Sequence, residues 1–387
     1  MELLKQNFKR VLLFVILIYS YNTIIAQTEG IIIDSETKLP IPFVSIYTRG
    51  KEVRGTMGNE QGKYCIYFKY DTIYFSHINY ELIKLANHSK IDTIIMNPTI
   101  HTMSEIVIAA QDNKWIEKLM TQIVQNKSKN YQTKEAKMSY SFNVKSLSDS
   151  SGYAFSSNGY MISPKYSEQE NYQICPVSNV IKYKDKTAGK DFMQLRRSVY
   201  NNFIKDFDNG FIKKHEFSLT AYINDDNENL LQFSFKSKKG EENTGYIIVD
   251  TLKKVITEFE QVAGTNYNIK SNTSSFGRFG ASKKGFKYTI WNTVIRGHYS
   301  LIDGSYHPTD CRYQLYRQNE YKKGKEKGLF FTNIESQLIM SKIDEEQFDE
   351  CNRIKLPTPY SIAIIVGKET RLAEEALERV PAEYELF

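Results

Sequence analysis

Between Gly30 and Tyr80 the chain alternates short β-rich runs with turn residues, and this punctuation limits the fold more than any other feature. The runs G-I-I-I-D, P-I-P-F-V-S-I-Y, K-Y-C-I-Y and D-T-I-Y-F-S are separated by Gly, Pro, Asn and Asp. Successive residues of a strand point to opposite faces, so short runs of this kind bury one face each and pack as a sandwich. Strands are expected over 30–33, 43–47, 63–68, 71–75, 92–96 and 105–109, in a sandwich of about seven strands. Pro40 and Pro42 fix extended backbone before one run, and Gly62 ends a turn that needs positive φ. Val44, Ile46, Ile66 and Phe75 are expected to face inward. Nothing in the stretch looks catalytic.

The character changes after residue 110. Ile116, Leu119, Met120 and Ile123 recur at three- and four-residue spacing, with Trp115 and Val124 beside them. That spacing draws one apolar stripe along a linker helix over 111–131, packed on a β unit or offered to a partner. Asp112 or Asn113 can cap its start.

From residue 132 to 387 the chain is again strand-rich. The segments 216–223, 230–236, 244–250 and 255–262 are separated by short polar turns, which predicts four consecutive antiparallel strands. Alternation sets Leu231, Phe233 and Phe235 on one face, and Tyr246, Ile248 and Asp250 on one face of the next strand. Earlier, 138–144 and 153–162 read as a strand pair. Later strands are expected at 285–293, 298–302, 310–317 and 330–339. Phe192, Leu195, Val199, Phe203 and Phe207 stand at helical spacing, predicting one helix over 192–211 ended by Gly210. A last helix is expected over 369–379. The fold class is therefore mainly β: an N-terminal transthyretin- or immunoglobulin-like sandwich, a helical linker, and a large curved antiparallel sheet with a few helices. If that sheet is a half-barrel, the helix around 199–207 closes its concave face.

The first 26 residues read as a secretory signal. Lys5, Lys9 and Arg10 precede the apolar run of residues 11–18, and Ala26 suits cleavage before Gln27. An uncleaved N-terminal anchor is the alternative, although the run is shorter than the roughly 20 residues a span needs. Export to the periplasm or outer membrane of a Gram-negative cell is expected, or secretion. The formal net charge is +6, of which residues 1–26 carry +2, residues 27–110 −1 and residues 111–387 +5. So mild and spread a balance does not point to nucleic acid. The one dense basic run, Lys322-Lys323-Gly324-Lys325-Glu326-Lys327, reads as a solvated hairpin loop. Cys65, Cys175, Cys311 and Cys351 form no C-x-x-C motif. Export permits disulfides, and Cys311–Cys351 is the pair to test first, with isolated thiols as the alternative.

A search for chemistry finds no nucleophile elbow, no Gly-rich phosphate loop and no cysteine with an evident base. His77 and His101 are each followed by Glu at the fourth residue, which in a strand spreads the two groups beyond joint chelation. Asp225-Asp226-Asn227-Glu228 offers hard oxygens but lacks EF-hand spacing, and residues 274–280 read as a loop rather than an anion cradle. No catalytic, cofactor or metal residues are assigned. His298, His307 and Asp310, with a turn at residues 307–310, are the candidates for a hydrolase assembled from distant residues. Phe387 ends the chain as outer-membrane barrels often end, but Glu383 and Glu385 occupy positions that a barrel would give to lipid.

Four blocks resemble the carboxypeptidase-like regulatory domain: Gly30–Asp34, Pro40–Ile46, Asn59–Tyr64 and Phe75–Tyr80. The resemblance covers residues 28–110. It implies a transthyretin-like sandwich serving as an accessory module of an envelope protein, without a catalytic site of its own. The junction at residues 104–131 looks like envelope proteins in which a large β-rich part of unknown role follows this module. Gly245–Asp250 with Val255–Glu260 is similar to the strand pair of periplasmic half-barrels of the lipoprotein-carrier type. Together these imply a non-enzymatic exported binding or scaffold module, holding an apolar ligand or a protein segment on a concave sheet. The alternatives are the hydrolase, and an accessory partner of an outer-membrane uptake or secretion complex.

Overall fold

The computed structural model describes residues 28–42, 44–48, 55–59, 61–66, 68–77, 80–81, 83–87, 92–98, 114–148, 151–168, 171–183, 190–223, 229–240, 242–271, 285–321, 328–343, 352–358 and 368–386. The expected signal segment, the strand at 105–109, His101, Asp225–Glu228, residues 274–280, Lys322–Lys327, Cys351 and Phe387 lie outside these residues.

Seven short strands build the N-terminal unit. They are β1 (Thr28–Asp34), β2 (Ser45–Tyr47), β3 (Gly55–Met57), β4 (Lys63–Ile66), β5 (Thr72–Ser76), β6 (Ile83–Ala86) and β7 (Thr93–Met96). One sheet runs β4-β1-β7 and the other β3-β2-β5-β6. Between them Ile32, Val44, Ile46, Ile66, Ile73, Phe75 and Met96 have no exposed surface, including the four residues expected to face inward. Asp34 closes the first strand as an Asx turn. Its Oδ1 accepts from the Glu36 and Thr37 amides at 2.7 and 2.8 Å, and its Oδ2 accepts from Tyr80 Oη at 2.6 Å. Gly62, at φ 70°, sits where a Cβ would stand 2.7 Å from Ile32 O, so only glycine fits this turn.

A 17-residue helix follows, α1 (Lys114–Asn130). It leads into β8 (Ala136–Ser148), β9 (Gly152–Ser163) and β10 (Gln173–Tyr183). Three short helices come next: α2 (Phe192–Tyr200), α3 (Phe203–Asp206) and α4 (Asn209–Lys214). The four expected meander strands are β11 (His215–Ile223), β12 (Leu230–Ser237), β13 (Asn243–Asp250) and β14 (Val255–Gly264), each antiparallel to the next. After α5 (Thr265–Ser271) come β15 (Phe286–Ile302), β16 (Ser305–Tyr321) and β17 (Gly328–Lys342). The short β18 (Ile354–Lys355), the helix α6 (Lys368–Arg379) and β19 (Glu383–Leu386) complete the described elements. One large sheet runs β11-β12-β13-β14-β15-β16-β17-β8-β9-β10-β18, with β19 parallel to β10. The fold is mainly β, with a large curved sheet and few helices, as the alternation implied.

Three expectations need correction. The single helix over 192–211 is three helices, and Gly210 lies inside the last of them. Asn202 Oδ1 accepts from the Ile204 amide and Asp208 Oδ1 from the Phe211 amide, so each side chain starts a new helix where the apolar spacing alone would continue the old one. The strands expected at 285–293 and 298–302 are one 17-residue strand. Gly297 interrupts the apolar pattern there because a Cβ would stand 2.3 Å from the Phe259 ring. Residues 307–310 form no turn but belong to β16. The reversal is at Asp303 and Gly304, both at positive φ, the geometry of a tight hairpin. Pro308 is tolerated because the register slips there, with Tyr299 opposite Pro308 and His298 opposite Asp310.

Candidate functional site

The large sheet has two unlike faces. Even-numbered residues of β8 and odd-numbered residues of β16 face the helices. Met138, Tyr140, Phe142, Val144, Tyr313 and Leu315 join one core there with Leu195 and Val199 of α2. Ile116, Leu119, Met120 and Ile123 of α1 join a second core on the meander, with Phe203, Phe207, Phe211, Phe233, Phe235 and Phe259. Phe203 stacks on Phe259 with ring centroids 4.5 Å apart and planes at 14°. Leu231, Phe233 and Phe235 share this face, as expected. Tyr246, Ile248 and Asp250 share the other, while Ile247 and Val249 between them are fully buried.

Lys127 holds this layer together. It is buried, and its Nζ donates to Ile204 O at 2.7 Å and Phe207 O at 2.9 Å. These carbonyls lie at the breaks that divide the short helices, where intrahelical partners are missing. Burial pulls the Lys127 ammonium below its usual pKa, against the pull of Asp208 and Asp206. Residues 199–207 do lie over the curved face, and aromatic rings occupy the space beneath them.

The opposite, open face carries the N-terminal sandwich. The Gln337 side-chain amide lies 2.7 Å from Ser76 Oγ, and Arg312 Nη1 donates to His77 O at 3.1 Å. Beside this contact a cleft of about 560 Å³ opens, lined by Tyr80 and Glu81 of the sandwich and by Glu258, Arg296, His298 and Asp310 of the sheet. Two of its carboxylates are paired with arginines. Glu258 accepts from Arg296 Nη2 at 2.9 Å and from Tyr246 Oη at 2.7 Å. Burial works against the ionised Glu258, but the Arg296 charge and these hydrogen bonds outweigh it and lower the pKa. Asp310 behaves alike: burial opposes its ionisation, and Arg312, 3.0 Å away, leads the groups that lower its pKa. His298 Nδ1 lies 3.0 Å from Thr257 O, which only accepts, so this nitrogen carries the proton.

Of the three residues proposed for a hydrolase, the structure brings two together. His298 and Asp310 are opposite one another in register and both line the cleft. His307 is buried away from it, with Nε2 2.9 Å from Ser305 Oγ and Nδ1 3.4 Å from Ser163 Oγ. Burial depresses its pKa to about 4. His307 and Asp310 stand three residues apart, a spacing that a zinc-binding His and carboxylate can use on other backbones. On a strand, an odd spacing turns two side chains to opposite faces, and the bulge here still leaves only Asp310 in the cleft. His77 is likewise held near pKa 4, by burial first and then by the Lys145 and Arg312 charges. Among the described residues no three His, Cys, Asp or Glu side chains are grouped to hold a metal ion. Cys65 and Cys311 carry free thiols. Burial raises the Cys311 pKa, with the Asp310 charge adding to it, so this thiol is unreactive.

The sequence pointed to His298 and Asp310 but not to Tyr80, Glu81, Glu258 or Arg296, because the sandwich and the sheet contribute from distant parts of the chain. The faint signal was a polar residue at every second position of 310–314 beside a strand expected to be half-buried.

No family model matches the chain, and no curated protein matches it. Several solved structures are similar to it. A DUF1329 family protein from Desulfovibrio piger is 10% identical, covering 59% of this chain and 92% of its own, at a TM-score of 0.24. A LolA superfamily protein from Nitrosomonas europaea is 11% identical, covering 58% and 93%, at 0.19. A putative outer membrane lipoprotein-sorting protein domain from Vibrio parahaemolyticus is 7% identical, covering 68% and 100%, at 0.24. At these scores the likenesses carry no argument about what the chain binds.

Proposed function

We propose that this chain is a non-enzymatic, exported binding or scaffold module of the cell envelope. In this reading residues 1–26 are a signal peptide, residues 27–110 an accessory sandwich of the carboxypeptidase-regulatory type, residues 111–131 the linker helix and residues 132–387 the body. The cleft between sandwich and sheet holds a polar segment of a partner protein. One observation carries the reading: both carboxylates that the sheet presents to the cleft are paired with arginines. Glu258 and Asp310 are kept ionised by arginines, so neither is poised to donate a proton near neutral pH, whereas paired charges and hydroxyls offer fixed hydrogen-bonding groups to a polar chain. Affinity capture from envelope extracts with the native chain and with Arg296→Glu tests it. A partner retained by the native chain and lost by the variant supports the reading, and equal recovery by both sinks it. Hydrolysis of a peptide, ester or glycoside panel that disappears in His298→Ala would replace it with the enzyme.

A second reading keeps the apolar ligand. It is favoured by the helical layer, which is cut into three separately capped pieces over a phenylalanine-lined face. Displacement of that layer would open a lipid-sized site. A fluorescent fatty acid that binds and raises the melting temperature supports this version, and saturating ligand with an unmoved melting temperature rejects it.

A further inference from the structure

We infer that Arg197 and Arg317 form a binding site for a phosphate group where the helical layer ends over β15, β16 and β17. Arg317 lies on the helix-covered face of β16, in line with Leu315 and Tyr313, which join the core that α2 covers. Register sets it opposite Ile290 of β15 and Thr332 of β17. Arg197 reaches round from α2, its Nη1 donating to Gln194 Oε1 at 3.3 Å. Neither arginine is sealed off, and both are half-buried. Tyr288 and Tyr321 stand beside Arg317 on the same face, and the Arg317 charge also reaches Tyr153.

A positive charge without a counter-charge is what selects the ligand. Arg317 Nε is buried and has no hydrogen-bond partner. Among the described residues neither arginine forms an ion pair. Asp191 is the carboxylate whose charge reaches Arg197, and it is already engaged, because Tyr153 Oη and the Gln194 amide both donate to it. Burial, and after it the Arg197 charge, pull the Arg317 pKa down. A lysine so placed could give up its proton, but an arginine keeps its charge. An unpaired charge taken out of water costs the fold more than an apolar side chain in its place. An anion that binds here removes that cost. One guanidinium fork satisfies a planar carboxylate. Two forks on different elements need oxygens that point in different directions, as those of a tetrahedral phosphate do.

The test is calorimetry and thermal melting of the full chain in inorganic phosphate, compared with sodium chloride of equal ionic strength. Millimolar phosphate is expected to bind at one site and to raise the melting temperature. Arg197→Gln and, separately, Arg317→Met should each weaken phosphate binding by about tenfold or more. Lys236→Gln, which removes an exposed positive charge on β12, should leave it unchanged. Because Arg317→Met alters a half-buried position, its melting is also read without phosphate. There it should melt no lower than the native chain, since the unpaired charge is gone. A clearly lower melting temperature would mean that the empty fold already satisfies the guanidinium, and overturns the proposal. Phosphate without effect on the native chain, or variants that bind it as tightly as the native chain does, overturn it too. Acetate binding as well as phosphate overturns it in favour of a carboxylate. A short-chain phosphatidic acid separates the sources of the phosphate group. Binding tighter than that of inorganic phosphate supports a lipid headgroup, and binding no tighter supports the free ion. The site is on the opposite face from the cleft, so the proposal can fail while the proposed function stands.

Discussion

The helix-covered face of the large sheet is dry and aromatic, and the open face is polar even where it is buried. On β8 the first face shows Met138, Tyr140, Phe142 and Val144, and the second Ser139, Ser141 and Asn143, all buried. Across the pair, Asn158 stands opposite Ser141 and Ser156 opposite Asn143. Ser141 Oγ, Asn143 Oδ1 and Asn158 Oδ1 have no hydrogen-bond partner, so this stripe contributes little to stability. The difference teaches where stability and recognition are divided. One face supplies apolar burial and fixes the curvature. The other bears the sandwich and the cleft. A single strand serves both because its side chains alternate.

The comparison is tested hardest by emptying the dry face. Phe203→Ala, which removes the ring stacked on Phe259, is expected to cost about 3–5 kcal/mol in urea unfolding, and Leu119→Ala about 2–5. A loss under half a unit for either would mean that the helices rest loosely on the sheet. Lys127→Met keeps the apolar stem but strands the Ile204 and Phe207 carbonyls, at a cost of about 2–4 kcal/mol. If the variant is as stable as the native chain, the latch is incidental.

Acid sharpens the contrast by a different route. His307 has a folded pKa near 4, below its unfolded value near 6.5, so the unfolded state binds more protons in between. Its contribution is therefore fully present above pH 6.5 and is lost as pH falls toward 4, on the order of 3 kcal/mol at most. His77, on the open face, adds a loss of the same sign over the same window. His307→Gln should flatten part of the slope of stability against pH between 4 and 6.5, and an unchanged slope would assign it elsewhere. The smallest effect belongs to the cleft. Arg296→Gln breaks a partly exposed ion pair and should cost about 1 kcal/mol or less, while changing partner capture far more. A cost near that of Phe203→Ala would erase the distinction between the faces.

The division of the sheet was legible where chemistry was local. The meander from β11 to β14 could be read because alternating apolar residues and short polar turns leave only hairpin links, and α1 because Ile116, Leu119, Met120 and Ile123 share one stripe. The three short helices were not legible. Phenylalanines continue the helical spacing across Asn202 and Asp208, and only the side-chain caps show that the backbone restarts. The continuity of β15 was hidden by Gly297, whose role is set by a ring on the neighbouring strand. Turn residues misled at His307-Pro308-Thr309-Asp310, where a bulge admits the proline, while the true hairpin at Asp303-Gly304 went unnoticed. The cleft needed Glu81 and Arg296 to be neighbours, and no local pattern carries that.

The order of the large sheet bears on how the chain is made. β8 finds its second neighbour in β17, with Met138 opposite Lys342 and Ser148 opposite Thr332. The strands from β11 onward can zip hairpin by hairpin, each on the one before. The β8–β9–β10 trio, translated earlier, must wait with one edge open until β17 arrives. Such long-range closure is slow, and an open edge invites pairing with another chain. The molecule therefore meets its greatest hazard before the last third of its sequence has joined the fold, and its yield is governed by whatever guards that waiting edge.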